Sequence, residues 1–168
     1  MTDIGIPLEG TVPAVGSPAP GFTLTDQHGQ QVSLQDVLSD GGARAALLVF
    51  YPFAFSGTCT GELCEIRDDL DAFANDDVQV VGISCDPKHA LRAWADDEGY
   101  KFPLLSDFWP HGEVAKAYGV FMPGLGFAAR GSFLVDSSGV VRWSTVQGPG
   151  QARDTQAYRD AVEALLAG

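Results

Sequence analysis

Two apolar runs, AALLVFY at 45–51 and VQVVGIS at 78–84, constrain this chain more than any other feature. The first shows no polar alternation at all, so it does not fit a strand with one wet face. Short continuous runs of this kind fit strands buried on both sides, as in a parallel sheet covered by helices. Between them, from Gly57 to Asn75, Leu63, Ile66, Leu70 and Phe73 recur at three- and four-residue spacing, the mark of a helix. Strand, helix and strand in this order predict a parallel βαβ unit with a right-handed crossover.

The remaining segments extend that unit. FTLTD (22–26) and QVSL (31–34) alternate around QHGQ and predict a hairpin. Ser33 and Asp36 are placed to open a short helix ending at Gly41–Gly42. Residues 87–98 form a helix with Pro87 in its first turn and Gly99 just past its end. A short strand at 102–105 and a short helix at 112–118 come next. GSFLVD (131–136) and VVRWS (140–144) flank SSG, a second hairpin. Residues 154–167 make an amphipathic closing helix with Tyr158, Val162, Leu165 and Leu166 on its apolar side. The expected fold is α/β and thioredoxin-like: a central mixed sheet flanked by helices, with an N-terminal hairpin extension. With 168 residues, one domain over 15–168 is expected, preceded by a Pro- and Gly-rich arm at 1–14.

Charge narrows the partners. The chain carries 22 acidic and 10 basic residues, a formal net charge of −12. That repels phosphate backbones and anionic bilayers, so neither nucleic acid nor membrane is an expected partner. The start, MTDIGIPLEG, has no basic n-region, and the longest apolar stretch is broken by Pro52, so a cytoplasmic location is expected. Thiols stay reduced there, which makes cysteines candidates for catalysis rather than structural staples.

Cys59 stands where the first apolar run hands over to the helix. Ligands gather outside the carboxyl ends of strands in open α/β sheets. Unpaired N–H groups at a helix start favour negative charge, and the thiolate is the nucleophilic form of cysteine. A buried cysteine is also a small apolar core residue; Pro52, Ser56 and Gly57, which make the backbone ahead of Cys59 irregular, favour the chemical reading. Cys64 follows five residues later. On a helix that spacing means a turn of about 140° and a rise of about 7.5 Å, beyond the Cα separation of about 7 Å that a disulfide tolerates. The two can bond only if the first turns unwind. Otherwise Cys64 is an ordinary helix residue beside the core. Cys85 ends the second run at the same sheet edge, as a buried strand-end residue or a second candidate resolving thiol. No C-x-x-C is present, the spacing does not suit a zinc site, and no glycine loop follows a strand, so no metal or other cofactor is expected.

Pro52, Ser56 and Cys59 reproduce the spacing P-x-x-x-[TS]-x-x-C, which resembles the active-site motif of peroxiredoxins. ARGSFLVD (129–136) looks like that family's later arginine segment, PAPGFTLTDQHGQQVSL like its opening hairpin, and FPLLSDFWPHGEVAKAYGVF (102–121) like its AhpE group. The resemblance covers roughly residues 15–165. It implies a thiol-dependent peroxidase acting on hydrogen peroxide and organic hydroperoxides. Cys59 would be oxidised to a sulfenic acid, Arg130 would favour the thiolate and bind the peroxide oxygens, and Ser56, standing where most relatives carry threonine, would hydrogen-bond the substrate. Pro52 would shield the sulfur and Glu62 would orient the arginine. The AhpE group lacks a cysteine at the Cys64 position, whereas the bacterioferritin-comigratory group often has one there.

This mixture implies an atypical two-cysteine cycle, with Cys64 resolving and a thioredoxin-like dithiol reducing the disulfide. The alternatives are a one-cysteine cycle served by a mycoredoxin, a glutaredoxin or a small thiol, and a redox-sensing interaction protein. His28, His89 and His111 read as surface residues. Phe53, Phe55, Phe108, Trp109 and Phe121 form an aromatic surplus that fits either core packing or the homodimer interface the family implies.

Overall fold

The computed structural model describes residues 4–39, 42–68, 77–151 and 154–167. The opening hairpin forms where the alternation predicts it. Strands β1 (Thr23–Asp26) and β2 (Gln31–Ser33) pair antiparallel around a turn in which Asp26 Oδ1 accepts the His28 and Gln30 N–H groups. Helix α1 (Leu34–Ser39) starts from a reciprocal capping box: Ser33 Oγ accepts the Asp36 N–H, and Asp36 Oδ2 accepts the Ser33 N–H.

The apolar runs become β3 (Ala45–Phe50) and β4 (Val78–Ser84), paired in parallel from Ala45–Val78 to Phe50–Ile83. Helix α2 (Gly57–Asp68) opens at the predicted glycine. Gly41, Leu70, Phe73 and Asn75, which the sequence reading also used, lie outside the described residues. Then follow α3 (Lys88–Glu98), β5 (Leu104–Ser106), α4 (Glu113–Ala117), a small hairpin of β6 (Phe121–Met122) and β7 (Phe127–Ala128), β8 (Arg130–Asp136), β9 (Val141–Gln147) and α5 (Thr155–Ala167). Among the described residues the main sheet has the order β2-β1-β5-β4-β3-β8-β9, with β3, β4 and β5 parallel and β1 and β8 antiparallel to their neighbours. This is the thioredoxin-like α/β arrangement that the element order predicts.

Two boundaries and one element differ from the sequence reading. Strand β5 starts at Leu104, not Phe102. Pro103 has no N–H to give a ladder, and the Gln27 amide takes the flanking groups instead, donating to Phe102 O at 3.2 Å and accepting the Leu104 N–H at 2.8 Å. Strand β9 runs to Gln147 because β8, starting at Arg130, offers it a full antiparallel partner. The β6–β7 hairpin was not foreseen, since strands of two residues carry no readable alternation.

Side chains of β3 divide between two buried clusters. Ala46, Leu48 and Phe50 meet Leu34, Tyr118 and Phe133 on one face; Leu47, Val49 and Tyr51 meet Leu63, Trp94 and Tyr158 on the other. The first layer holds α1 and α4, the second α2, α3 and α5. The N-terminal segment from Ile4 lies against the first layer: Ile4, Ile6, Leu8 and Val12 pack on it, and the Glu9 N–H donates to Phe121 O at 2.8 Å.

The turn before α4 is held by a buried acid. Asp107 is 1% exposed and accepts the Val114 and Ala115 N–H groups at 3.1 and 2.9 Å. Burial pushes its carboxyl up to about 6, against the pull of those two donors; Glu113 raises it further and His111 opposes. The folded value lies above the ordinary carboxylate value, so the group holds a proton in the native state that the unfolded chain has lost. Its contribution is therefore full below about pH 4 and declines as pH rises towards 6. Asp107→Asn removes that exchange. The stability advantage of the native chain over this variant is expected to shrink by about 2–3 kcal/mol between pH 4 and 6.5 in thermal unfolding; a gap independent of pH would refute the assignment.

Candidate active site

Beyond Phe50 the chain leaves the sheet through Tyr51 and Pro52, both buried, and a short loop carries it to α2. Phe55 in that loop has φ 67°, a left-handed conformation that an aromatic residue adopts only when its surroundings force it. Part of that force comes from Asp86 at the end of β4. Its Oδ2 accepts the Ala54 N–H at 2.8 Å and the Ser84 hydroxyl at 2.7 Å, while its own carbonyl accepts the Ser106 hydroxyl at 2.6 Å. Asp86 thus ties the loop to two neighbouring strand ends. The sequence reading passed over it; its only local signal is a C-D-P triplet closing the second apolar run.

Ser56 is the N-cap of α2. Its Oγ accepts the Cys59 N–H at 3.2 Å, and its carbonyl accepts the Thr60 N–H at 2.8 Å. Used as an acceptor, that oxygen keeps its own proton to donate. Cys59 is the third helical residue and fully buried, packed in the cluster of Leu47, Val49, Tyr51 and Leu63. The first-turn amides around it supply positive potential.

Arg130 enters from the other side. Ser132 on β8 opposes Val49 on β3, so Arg130, two residues earlier on an antiparallel strand, comes level with the end of β3. Its guanidinium is 2% exposed. Nη1 donates to Glu62 Oε1 in a buried ion pair, and Nε donates to Pro149 O at 2.8 Å. Glu62, 6% exposed, lies one turn along α2 from Cys59. Beneath this pair the Ser132 and Tyr158 hydroxyls bond, joining β8 to α5. The structure therefore brings Ser56 to Cys59, and Arg130 to Glu62, on the same helix.

The other cysteines have different surroundings. Cys64 is half-buried on α2, with its thiol donating to Glu98 Oε2 at 3.2 Å and its sulfur 3.5 Å from the Tyr100 hydroxyl. Cys85 follows β4 at the same sheet edge as Cys59 but packs in the opposite layer. Burial, with Asp107 and Asp86 nearby, pushes its thiol up to about 12. Of the aromatic residues, Phe121 belongs to the core, whereas Phe53, Phe55, Phe108 and Trp109 are exposed. His111 is exposed, yet its ring nitrogens lie 3.2 and 2.7 Å from the Phe108 and Gly126 carbonyls, linking two loops. No helix among the described residues is long and apolar enough to cross a membrane.

A buried cysteine in the first turn of a helix that follows a central strand, one turn from a buried arginine–carboxylate pair, is an arrangement suited to thiol-based redox chemistry on a thioredoxin-like sheet. Residues 15–144 match the AhpC/TSA family, and the chain belongs to it: it is a peroxiredoxin, a thiol-dependent peroxidase. Over 153 residues it is 49% identical to alkyl hydroperoxide reductase E of Mycobacterium tuberculosis, covering 91% of this chain and 98% of that one. It is 30% identical over 164 residues to the chloroplastic 2-Cys peroxiredoxin BAS1 of Hordeum vulgare, covering 92% and 76%. Among solved structures, peroxidoxin BcpB from Mycobacterium tuberculosis superposes with a TM-score of 0.77 at 31% identity, covering 92% of this chain and 97% of that one.

Glu62→Ala would leave the Arg130 guanidinium buried without its counter-charge. Such losses cost about 3–5 kcal/mol, against under about 0.5 kcal/mol for an exposed change such as Glu163→Ala. Urea unfolding of both variants measures this, and a Glu62→Ala cost no larger than that of Glu163→Ala would show the pair contributing only as a surface one does.

Proposed function

We propose that Cys59 is the peroxidatic residue of a cycle that reduces hydrogen peroxide and organic hydroperoxides. The Cys59 thiolate attacks one peroxide oxygen. The S–O bond forms as the O–O bond breaks, giving a sulfenic acid, and the departing oxygen leaves as hydroxide or alkoxide and takes a proton to become water or alcohol. Arg130 is the charge-assisted donor to the peroxide oxygens, held in aim by Glu62. The Ser56 hydroxyl donates to the substrate, and Pro52 keeps water from the sulfur. Preorganised donors of this kind stabilise the charge that develops as the O–O bond breaks. The observation that carries this reading is the placement of Cys59 at the Ser56-capped start of α2, one turn from the Arg130–Glu62 pair.

In the second half of the cycle Cys64 attacks the Cys59 sulfenic acid. The S–S bond forms as the S–O bond breaks, and hydroxide leaves with the Cys64 proton as water. A thioredoxin-type dithiol then reduces the disulfide. Five-residue spacing on one helix requires α2 to unwind for this step. The engagement of Cys64 with Glu98 and Tyr100 favours a second reading, in which an external thiol such as a mycoredoxin, a glutaredoxin or a small thiol resolves Cys59. The exposed Phe53, Phe55, Phe108 and Trp109 support a homodimer formed across the active-site face. A single domain over 15–168 with an arm at 1–14, in a cytoplasmic setting, completes the reading.

Cys59→Ser is expected to lower peroxide consumption at least 1,000-fold, on the order of what loss of a catalytic nucleophile costs, with circular dichroism unchanged. After one equivalent of peroxide the native chain should be two hydrogens lighter by intact mass, a change absent from Cys64→Ser. Turnover retained in the Cys59 variant would end the assignment of Cys59 as the peroxidatic residue. A persistent sulfenic acid or mixed disulfide in the native chain would instead select the one-cysteine cycle.

A further inference from the structure

Helix α3 ends at Gly99, which adopts φ 72° and ψ 29° and donates its N–H to Ala95 O. This left-handed residue turns the chain so that Glu98, before it, and Tyr100, after it, both reach Cys64 on α2. The Tyr100 hydroxyl also donates to Thr60 O at 3.3 Å, and the Trp94 indole N–H to Thr60 Oγ1 at 3.2 Å. Tyr100 is fixed in turn by edge contact with Trp94 and stacking on Phe102, with ring centroids 5.0 and 5.3 Å apart. The end of α3 therefore grips the same turns of α2 that must unwind before Cys64 can meet Cys59.

The chemistry of the grip is specific. A carboxylate has no proton of its own to give, so Cys64 bonds to ionised Glu98 only as the thiol. Forming the Cys64 thiolate in place would lose that bond and set two negative charges side by side. Glu98 and Tyr100 are two titratable side chains that meet Cys64, both from the end of α3. Glu98 is only half-buried, so its hold is moderate rather than permanent.

We propose that Glu98 is a latch on Cys64: it keeps the thiol protonated and docked on α3, and so restrains disulfide formation with Cys59. This rests on the reading of Cys64 as the resolving residue, and it assigns Glu98 a positioning role rather than a catalytic one. With the latch closed, α2 keeps its shape for the attack on peroxide. Once Cys59 carries oxygen, the disulfide forms at a rate set by how often Glu98 lets go. Neutralising Glu98 removes both restraints in the same direction, since the bond weakens and the charge that opposes the Cys64 thiolate disappears.

The test has two arms. In the Cys59→Ser background, which forms no sulfenic acid at that position, alkylation of Cys64 by iodoacetamide is followed by peptide mapping, with buried Cys85 as the control for general opening. Adding Glu98→Gln, which keeps the size and an acceptor oxygen, is expected to raise Cys64 alkylation about tenfold at pH 7 and to move its pH profile lower, with Cys85 unchanged. Tyr100→Phe keeps the carboxylate and is expected to leave the pH profile where it is. In the second arm, quenched-flow mass analysis of the full chain after one equivalent of peroxide should show the disulfide forming about tenfold faster in Glu98→Gln.

An unchanged alkylation rate and profile in Glu98→Gln would overturn the latch, as would disulfide formation that is no faster or is slower. Equal acceleration at Cys64 and Cys85 would also overturn it, by reducing the effect to general loosening. Absence of any Cys59–Cys64 disulfide in the native chain would instead overturn the resolving role of Cys64, an outcome that the alkylation arm separates from failure of the latch.

Discussion

The buried ion pair between Arg130 and Glu62 joins the two halves of the site. It links β8, between β3 and the edge strand β9, to the second turn of α2, and both partners are almost wholly removed from water. Burying such a pair is costly unless the remaining donors and acceptors are satisfied. Here Pro149 O takes the Arg130 Nε–H, and the Ser132–Tyr158 bond stiffens the strand just below. A pair of this kind adds less to stability than to position. It fixes a guanidinium near the start of α2 and sets the height at which the helix sits over the sheet. Asp86 and the Ser56 cap then define the loop that brings Cys59 to the same place.

That rigidity conflicts with the second half of a two-cysteine cycle. Glu62 lies between Cys59 and Cys64, so unwinding that joins the two sulfurs must disturb the ion pair as well. The Ser56 cap, the bonds to Thr60 from Trp94 and Tyr100, and the contact of Cys64 with Glu98 lie along the same stretch. In the proposed two-cysteine cycle, attack on peroxide needs these restraints in place, and resolution needs them released. The polar bonds at the start of α2 break locally, but Cys59 and Leu63 on the same stretch are buried in the apolar cluster, so unwinding must also open part of that cluster. This is also why an external thiol is a serious competitor to Cys64, as it needs far less of the helix to open.

What the sequence revealed, and what it hid, follows from the range of the interactions involved. AALLVFY was legible as a central strand because burial on both faces leaves a composition that no other element carries. Cys59 stood out because strand end, proline, serine and cysteine fall within ten residues. Arg130 and Glu62 were named through family resemblance, since no local pattern ties residues 68 positions apart. Asp86 and Glu98 went unread for the same reason: their partners are 32 and 34 residues away, and a lone acid at a strand or helix end looks like any solvated charge. The start of β5 was misplaced because a glutamine 77 positions upstream takes the Leu104 N–H.

Cys59 and Cys85 make the selectivity of the fold plain. Both stand just past the carboxyl ends of adjacent parallel strands, so sheet topology alone does not distinguish them. They differ in the layer they enter. Cys85 packs among apolar residues on the α1 and α4 side, where burial and the nearby Asp107 and Asp86 all oppose a thiolate. Cys59 enters the other layer through the first turn of a capped helix, with Arg130 and Glu62 one turn away. The direction in which the chain leaves its strand therefore decides whether the thiol meets the Asp107 and Asp86 carboxylates or helix amides, and the proposed cycle places its nucleophile in the second setting.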